Sequence, residues 1–239
     1  MRLLDSWAAR LKSSLAAAVG YCTLCQARAP GGQAICEGCK ADLPFLGSAC
    51  ERCALPLPSP GLCGACLRKP PAYDRCCAAF RYIYPVNRLL TALKFEHRLA
   101  YADLLGQLAA EKLAGALATR PECLVPMPLH PKRLRERGFN QALELASVIG
   151  RHAGIPLATD CCQRIRHTAP QTGLSARDRH RNVKGAFAAA RPLPYGHVAI
   201  IDDIVTTGRS VEELALILKS AGVRQIDIWA CARTPVLPK

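Results

Sequence analysis

The chain has 239 residues and half of them are hydrophobic, which is enough for one large domain or two small ones with a real core. Its formal net charge of +14 makes anionic small molecules, nucleic acid or both the expected partners. No apolar run approaches the roughly 20 residues of a membrane-spanning helix, so we expect a cytoplasmic protein without a membrane span.

The first residues predict a helix and not a secretion signal. Asp5, Arg10 and Lys12 interrupt the region where a signal peptide needs an uncharged apolar core. The large apolar residues instead repeat with the spacing of one helix face, at Leu3, Leu4, Trp7, Leu11 and Leu15.

Eight of the 14 cysteines form four Cys-x-x-Cys pairs. In chain order these are Cys22 with Cys25, Cys36 with Cys39, Cys50 with Cys53, and Cys63 with Cys66. Each pair offers two sulfurs to one ion and two pairs complete a tetrahedral site of four cysteines, so the spacing predicts two structural zinc ions. Sequential pairing is favoured because each module then closes locally, and interleaved pairing is the alternative. Disulfides are less expected because no export signal is visible.

Pro70 and Pro71 mark a domain boundary. Residues 1–70 are expected to hold the N-terminal helix and the double zinc ribbon, and residues 71–239 a larger domain. The cysteines without metal-ligand spacing are expected to be buried small hydrophobic residues: Cys76, Cys77, Cys123, Cys161, Cys162 and Cys231.

A basic cluster follows the first predicted strand of the larger domain. Residues 123–128 predict this strand, and residues 139–151 predict a helix behind the cluster. The candidate anion-binding residues are Lys132, Arg133 and Arg137, since guanidinium groups suit phosphate oxygens. A solvated helix face is the alternative interpretation of such a charge run. The aperiodic stretch from Arg164 to Phe187 is long for a loop and is typical of a lid or binding loop.

A second anion site is predicted where an apolar strand, a short turn and a helix follow one another. The strand ends at two adjacent carboxylates, and the turn is rich in hydroxyl groups. Free N–H groups at the start of a helix bind phosphate, whereas the carboxylates suit sugar hydroxyls or magnesium. The candidate ligand-binding residues are Asp202, Asp203, Val205, Thr206, Thr207, Gly208, Arg209 and Ser210.

Residues 200–210 resemble the phosphoribosyl-pyrophosphate motif of type I phosphoribosyltransferases. The resemblance implies that Asp202 and Asp203 hold the ribose hydroxyls as catalytic residues, that the turn holds the 5′-phosphate, and that magnesium binds with the phosphoribosyl pyrophosphate. The implied fold is a mostly parallel α/β sheet flanked by helices, behind the double zinc ribbon. Strands are expected near 123–128, 155–162, 197–202 and 224–231, and helices near 98–118, 139–151 and 209–221.

The whole set of motifs resembles the ComF family of competence-associated, phosphoribosyltransferase-like proteins of bacteria. After the cysteine pairs come Leu93-Lys94-Phe95, then Pro-Leu-His-Pro-Lys-Arg-Leu-Arg-Glu-Arg-Gly-Phe-Asn-Gln over 128–141, and then Asp-Asp-Ile-Val-Thr-Thr-Gly over 202–208. Membership implies a role in natural transformation, in the handling of imported single-stranded DNA.

Two functions are compatible with these motifs. One is a phosphoribosyltransferase of the glycosyltransferase class with an unknown acceptor, in which the basic cluster of residues 132–137 neutralises the leaving pyrophosphate. The other is a non-catalytic sensor of a phosphoribosyl ligand that also binds single-stranded DNA or a DNA-uptake helicase.

Overall fold

The structure is a computed structural model, and it describes residues 20–29, 33–115, 119–166, 183–189 and 192–235. The predicted N-terminal helix and most of the predicted binding loop lie outside these residues. Of the helices that are described, none combines the length and the apolar character needed to cross a membrane.

Four parallel strands form the central sheet. They are β1 (Arg75–Arg81), β2 (Cys123–Pro126), β5 (His197–Val205) and β6 (Gln225–Arg233), in the spatial order β1-β6-β5-β2. The two central strands are buried at nearly every position because helices cover both faces of the sheet. An antiparallel pair, β3 (Cys162–Arg164) with β4 (Phe187–Ala189), stands apart from this sheet.

The helices divide between the two faces of the sheet. One face carries α3 (Val86–Phe95), α4 (Ala100–Ala114) and α6 (Gln141–Ala153), and the other carries α7 (Arg209–Ser220). Successive residues of a strand point to opposite faces. Ile201 accordingly packs with the first group of helices, while its neighbour Ile200 packs with α7.

The cysteine-rich segment is attached to the edge of the sheet. Leu46 donates its N–H to the carbonyl of Ala79 at 2.8 Å, and the rings of Phe45 and Phe80 lie 4.9 Å apart. Each half of the segment contains one short helix, α1 (Glu37–Ala41) or α2 (Gly64–Arg68). The buried residues of the first half, Cys22 and Ile35 among them, belong to the core cluster of α3 and α4. The segment has few large apolar residues, and it uses the core of the larger domain.

The predicted fold class is confirmed, and three details differ from the expected elements. The strand expected near 155–162 contributes only one parallel bridge, from Leu157 to Leu124, and regular pairing resumes at Cys162. The basic cluster forms a short helix of its own, α5 (Pro131–Arg137), which ends at Gly138 with φ +80°. The edge strand β1 and the helix α3 were not among the expected elements.

Candidate functional site

The N-terminus of α7 opens into a pocket at the carboxyl end of β5. Gly208 caps the helix in the left-handed region with φ +78°, and no side chain of the described residues caps it. A residue with a Cβ atom is strained at this φ, so the turn favours glycine. The pocket is lined by Val211 and by eight residues that were either predicted from the sequence as ligand-binding or lie between predicted ones: Asp202, Ile204, Val205, Thr206, Thr207, Gly208, Arg209 and Ser210. The backbone N–H groups at this end are available to an anion.

The side chain of Arg233 fixes the backbone of the turn between β5 and α7 by hydrogen bonds. Its side chain is only 7% exposed, and it donates to the carbonyl oxygens of Val205 and Thr234, each at 3.0 Å, and to that of Thr206. The carbonyl and the N–H on either side of one peptide bond point in opposite directions. Fixing the carbonyls of Val205 and Thr206 on Arg233 therefore turns the N–H groups of Thr206 and Thr207 away from it.

The two carboxylates lie within β5, which was expected to end at them but which pairs with β6 as far as Val205. Both carboxylates are buried, but they have different surroundings. Asp202 lines the pocket, whereas Oδ2 of Asp203 forms an ion pair with Nζ of Lys94 at the end of α3. Burial, and then the charge of Asp203, raise the pKa of Asp202 well above its ordinary value. Burial also raises the pKa of Asp203, but the charge and hydrogen bond of Lys94, together with the side chains of Asp202 and Gln141, outweigh burial and the net pKa is lowered. The pair thus concentrates its negative charge on Asp203.

The basic residues nominated from the sequence lie on α5. Burial lowers the pKa of Arg137 while the charge of Asp203 raises it, which places this guanidinium near the carboxylates. Arg137 also donates to Oε1 of Gln141 and lies 5.5 Å from the ring centroid of exposed Phe95. Arg133 is half-buried and lowers the pKa of Arg137. Lys132 is exposed in the first turn of α5.

The eight paired cysteines form two clusters in the sequential order. In each cluster the four sulfur atoms lie within 4.8 Å of one another. The Sγ atoms of Cys25 and Cys36 are 3.7 Å apart, as are those of Cys53 and Cys63. Four sulfurs at about 2.3 Å from a tetrahedral ion stand roughly 3.8 Å from each other. We call these clusters the first zinc module (Cys22, Cys25, Cys36, Cys39) and the second zinc module (Cys50, Cys53, Cys63, Cys66).

Backbone N–H groups lower the pKa of one thiol in each module, whereas neighbouring thiols raise the pKa of Cys39 and burial raises the pKa of Cys53 and Cys66. Burial raises the pKa of the Cys22 thiol, but N–H groups of Cys25 and Cys36 outweigh it and lower the value to about 6. The same balance, with an N–H of Cys63 at 3.3 Å from the sulfur, lowers the pKa of Cys50 to about 7. Thiolates are the form that binds zinc, and no position is left for water, so both ions are structural. Of the other six cysteines, all but half-buried Cys77 are buried, as expected.

Comparison with known proteins places the chain in a family. A family model described as "Double zinc ribbon domain" matches residues 20–67. Competence protein F of Haemophilus influenzae is 35% identical over 178 residues, which cover 72% of this chain and 78% of that protein. The chain belongs to the ComF family. DNA utilization protein YhgH of Escherichia coli K12, at 36% identity over 176 residues, covers the same shares of the two chains.

Solved structures resemble this ComF-family protein only distantly. Glutamine phosphoribosylpyrophosphate amidotransferase from B. subtilis aligns at 17% identity over 56% of this chain and 27% of that one, with a TM-score of 0.38. Purine phosphoribosyltransferase from Pyrococcus horikoshii aligns at 19% identity over 58% and 79%, with a TM-score of 0.31. Similarities this low do not bear on the ligand of the ComF-family chain.

Four residues of the site were not nominated from the sequence. Lys94 stands in the tripeptide that supports the ComF resemblance, but its role as the partner of Asp203 was not expected. Gln141 accepts a hydrogen bond from Arg137, and its side chain lowers the pKa of Asp203. Burial and the charge of Arg133 lower the pKa of Arg164, and the charge of Asp202 raises it, so it belongs to the same surface. Nothing in the local sequence marks Arg233, because the carbonyl groups of Val205 and Thr206 that it contacts lie at the end of a different strand.

Proposed function

We propose that this ComF-family protein binds phosphoribosyl pyrophosphate with magnesium at the carboxyl edge of its sheet. The observation that carries the proposal is the pocket in which the N-terminus of α7 stands next to the carboxylate of Asp202. A phosphate requires N–H donors and positive potential, whereas sugar hydroxyls require an acceptor. A ligand with a phosphate and vicinal hydroxyls a few ångströms apart meets both requirements.

Each end of the ligand has its own set of residues in this proposal. The turn from Thr206 to Ser210 holds the 5′-phosphate through backbone N–H and hydroxyl groups. Asp202 and Asp203 hold the ribose hydroxyls. Arg137, with Arg133 and Lys132, faces the pyrophosphate, because Arg137 is the cation of α5 whose electrostatics already couple to Asp203.

Magnesium fits the donor set at this edge. It prefers oxygen ligands and binds through one or two carboxylates together with phosphate oxygens and water. Asp202 and Asp203 supply carboxylate oxygens, and the ligand supplies the rest. When bound, the ion would neutralise charge on the pyrophosphate, which complements the guanidinium groups of α5.

In the catalytic form of the proposal, the protein is a phosphoribosyltransferase. An acceptor nucleophile forms a bond to C1 of the ribose, and the bond from C1 to the pyrophosphate oxygen breaks with its electron pair. The carboxylates orient the ribose while Arg133 and Arg137 stabilise the charge on the leaving group. The acceptor is left open, because no described element forms a pocket specific for one base.

The second candidate is a non-catalytic sensor that handles imported single-stranded DNA, alone or with a DNA-uptake helicase. It is favoured by the net charge of +14 and by exposed basic residues on the zinc modules, Arg28, Arg68 and Lys69. The names of the two relatives, competence protein F and DNA utilization protein YhgH, point to the same process. Both candidates share the phosphoribosyl site.

Calorimetric titration of the full chain with phosphoribosyl pyrophosphate and magnesium tests the shared site. We expect binding by the wild type, and a loss of about tenfold or more in Asp202→Asn, since the amide replaces an acceptor oxygen by a donor and a buried hydroxyl left without its acceptor costs roughly 1–3 kcal/mol. Asp160→Asn, which removes an exposed carboxylate outside the pocket, is the matched control. Equal affinity in the three proteins would overturn the assignment. Release of pyrophosphate in the presence of nucleobases and amines then separates the enzyme from the sensor.

A further inference from the structure

The second zinc module touches the phosphate turn through one buried side chain. Nε of Arg233 donates to the carbonyl oxygen of Cys53 at 2.9 Å, while Nη1 of the same guanidinium donates to the carbonyls of the turn. Cys53 is a ligand of the second zinc module. A single rigid, planar group therefore spans from a zinc ligand to the residues that frame the pocket.

A second connection runs parallel to the first. Arg52 donates to the carbonyl of Asp74 at 2.7 Å, and the carboxylate of Glu212 in the first turn of α7 accepts the N–H of Ala72 at 3.1 Å. Between these contacts lies buried Tyr73, whose hydroxyl is 3.6 Å from the point where a Cβ atom on Gly208 would stand. The segment that leaves the second module thus packs against the cap of α7.

The first zinc module makes its contacts elsewhere. Its buried residues pack into the cluster formed by α3 and α4, and Lys40 pairs with Glu111 of α4 at 3.2 Å. In the described part of the chain, no hydrogen bond joins the first zinc module to Arg233 or to the turn. The two modules have similar metal sites, but among the described residues it is the second module that is hydrogen-bonded to Arg233 beside the ligand pocket.

We propose that the second zinc module is a positioning element of the phosphate site, and that Arg233 is the positioning residue through which it acts. This inference rests on the proposed phosphoribosyl function. Zinc fixes the backbone at Cys53, the carbonyl of Cys53 fixes the guanidinium of Arg233, and the guanidinium fixes the carbonyls of Val205 and Thr206. A buried guanidinium that loses one acceptor must turn to another one, because an unsatisfied charged donor is costly. The turn then loses its fixed arrangement of N–H groups.

Two matched variants test this coupling. Cys36 and Cys63 hold corresponding positions, at the N-cap of the short helix in their module, so Cys36→Ser and Cys63→Ser remove the corresponding zinc ligand from each module. The Cys36 sulfur also accepts the N–H of Cys39, a contact that has no counterpart at Cys63. Each variant of the full chain is assayed for zinc by elemental analysis and titrated with ribose 5-phosphate and, separately, with pyrophosphate and magnesium. We expect both variants to lose one zinc ion. Only Cys63→Ser should weaken ribose 5-phosphate binding, by about tenfold, the size of one lost charge-assisted hydrogen bond. Pyrophosphate binding, assigned to α5, should stay within about twofold in both, inside ordinary variation between mutants.

Arg233→Lys keeps the positive charge but loses the planar fork, and it provides a test that is independent of zinc. We expect it to weaken ribose 5-phosphate binding as much as Cys63→Ser does, and the double variant to show no further loss, because the two changes break one chain of contacts. The inference is overturned if Cys36→Ser and Cys63→Ser weaken ribose 5-phosphate equally, if pyrophosphate binding falls in parallel, or if the two losses add. Wild-type protein that binds no ribose 5-phosphate would overturn the proposed function as well, and that outcome is read from the wild-type titration alone.

Discussion

The ammonium group of Lys94 contacts Oδ2 of Asp203, and this ion pair joins the end of α3 to the end of β5. Both side chains are largely removed from water, with exposed fractions of 19% and 6%. Removing one partner of a buried pair leaves an uncompensated charge, which is costlier than the loss of an exposed pair. The pair therefore affects both the stability of the protein and the ionisation of its proposed ligand site.

Replacing Lys94 should destabilise the protein in a pH-dependent way. In the wild type the net pKa of Asp203 is below its ordinary value, so this group adds stability above about pH 4 and loses it as the pH falls. In Lys94→Met burial is no longer opposed by the charge of Lys94, although the side chains of Asp202 and Gln141 still lower the pKa of Asp203. The pKa of Asp203 therefore rises relative to the wild type, and its ionisation stabilises the fold less. We expect the difference in unfolding free energy to grow from pH 4 to pH 7, reaching about 3 kcal/mol.

Denaturant unfolding of the two proteins at a series of pH values measures this difference. Lys40→Met is the control, since Lys40 forms a more exposed ion pair with Glu111 and should change stability by at most about 1 kcal/mol. A loss in Lys94→Met that is the same at pH 4 and pH 7 would contradict the role assigned to its charge.

The two carboxylates should respond differently to neutralisation. Burial and the charge of Asp203 already raise the pKa of Asp202, which disfavours its charged form, so Asp202→Asn should have little effect on stability. The same change removes an acceptor oxygen from the proposed ligand site and should weaken ligand binding. Asp203→Asn leaves the mostly buried Lys94 without its partner and should also lower the unfolding free energy by about 3 kcal/mol. The double variant should bind no phosphoribosyl pyrophosphate while retaining both zinc ions. Calorimetry and thermal unfolding of the three variants measure the two effects, and identical behaviour of the single variants would contradict the different environments.

The purified protein should contain two zinc ions, one for each cluster of four cysteines. Structural sites in zinc-finger peptides contribute on the order of 10–16 kcal/mol, so removal of metal should unfold the cysteine-rich segment. Cys36→Ser should leave one ion, because the clusters form sequentially and the second does not use this sulfur. Elemental analysis measures the content, and a protein without zinc whose eight thiols are oxidised to disulfides would refute the assignment.

Single-stranded DNA should bind without sequence preference and weaken steeply with salt. Each phosphate neutralised on a single strand contributes about −0.7 to the slope of log K against log salt. Replacing exposed Arg28, Arg68 and Lys69 together should therefore reduce the slope by up to about 2 if the zinc modules contact DNA. Arg52 is left in place because it holds the carbonyl of Asp74.

Replacing Arg133 and Arg137 is the matched control for the DNA surface. These residues are assigned to the pyrophosphate, so their loss should weaken phosphoribosyl binding and leave the salt slope of DNA binding unchanged. A slope that responds to this pair and not to the zinc modules would mean that the two surfaces are reversed. No DNA binding even at low salt would remove the sensor hypothesis in its DNA-binding form.

The sequence by itself determined the features whose signals are local. The eight cysteines predicted both modules, because a zinc knuckle needs only two sulfurs at a fixed short spacing. The apolar run of β5 and the periodicity of α7 likewise predicted a strand and an amphipathic helix, since each follows from its own residues. These features also placed Asp202 and Asp203 near the carboxyl end of a core strand, which continues to Val205.

Only the tertiary structure decided which distant groups meet at that strand end. Lys94 reaches Asp203 because α3 packs on the same face of the sheet as the Asp203 side chain. Nothing in the local sequence marks this contact. The register of β6 beside β5 places Arg233 next to Val205, and from there its Nε reaches the carbonyl of Cys53, 180 positions earlier in the chain. Strand order and register depend on the packing of the whole core. Contacts between residues far apart in the chain therefore cannot be read from their spacing. For this reason the metal sites could be assigned from cysteine spacing, while the link between one of them and the phosphate turn required the folded chain.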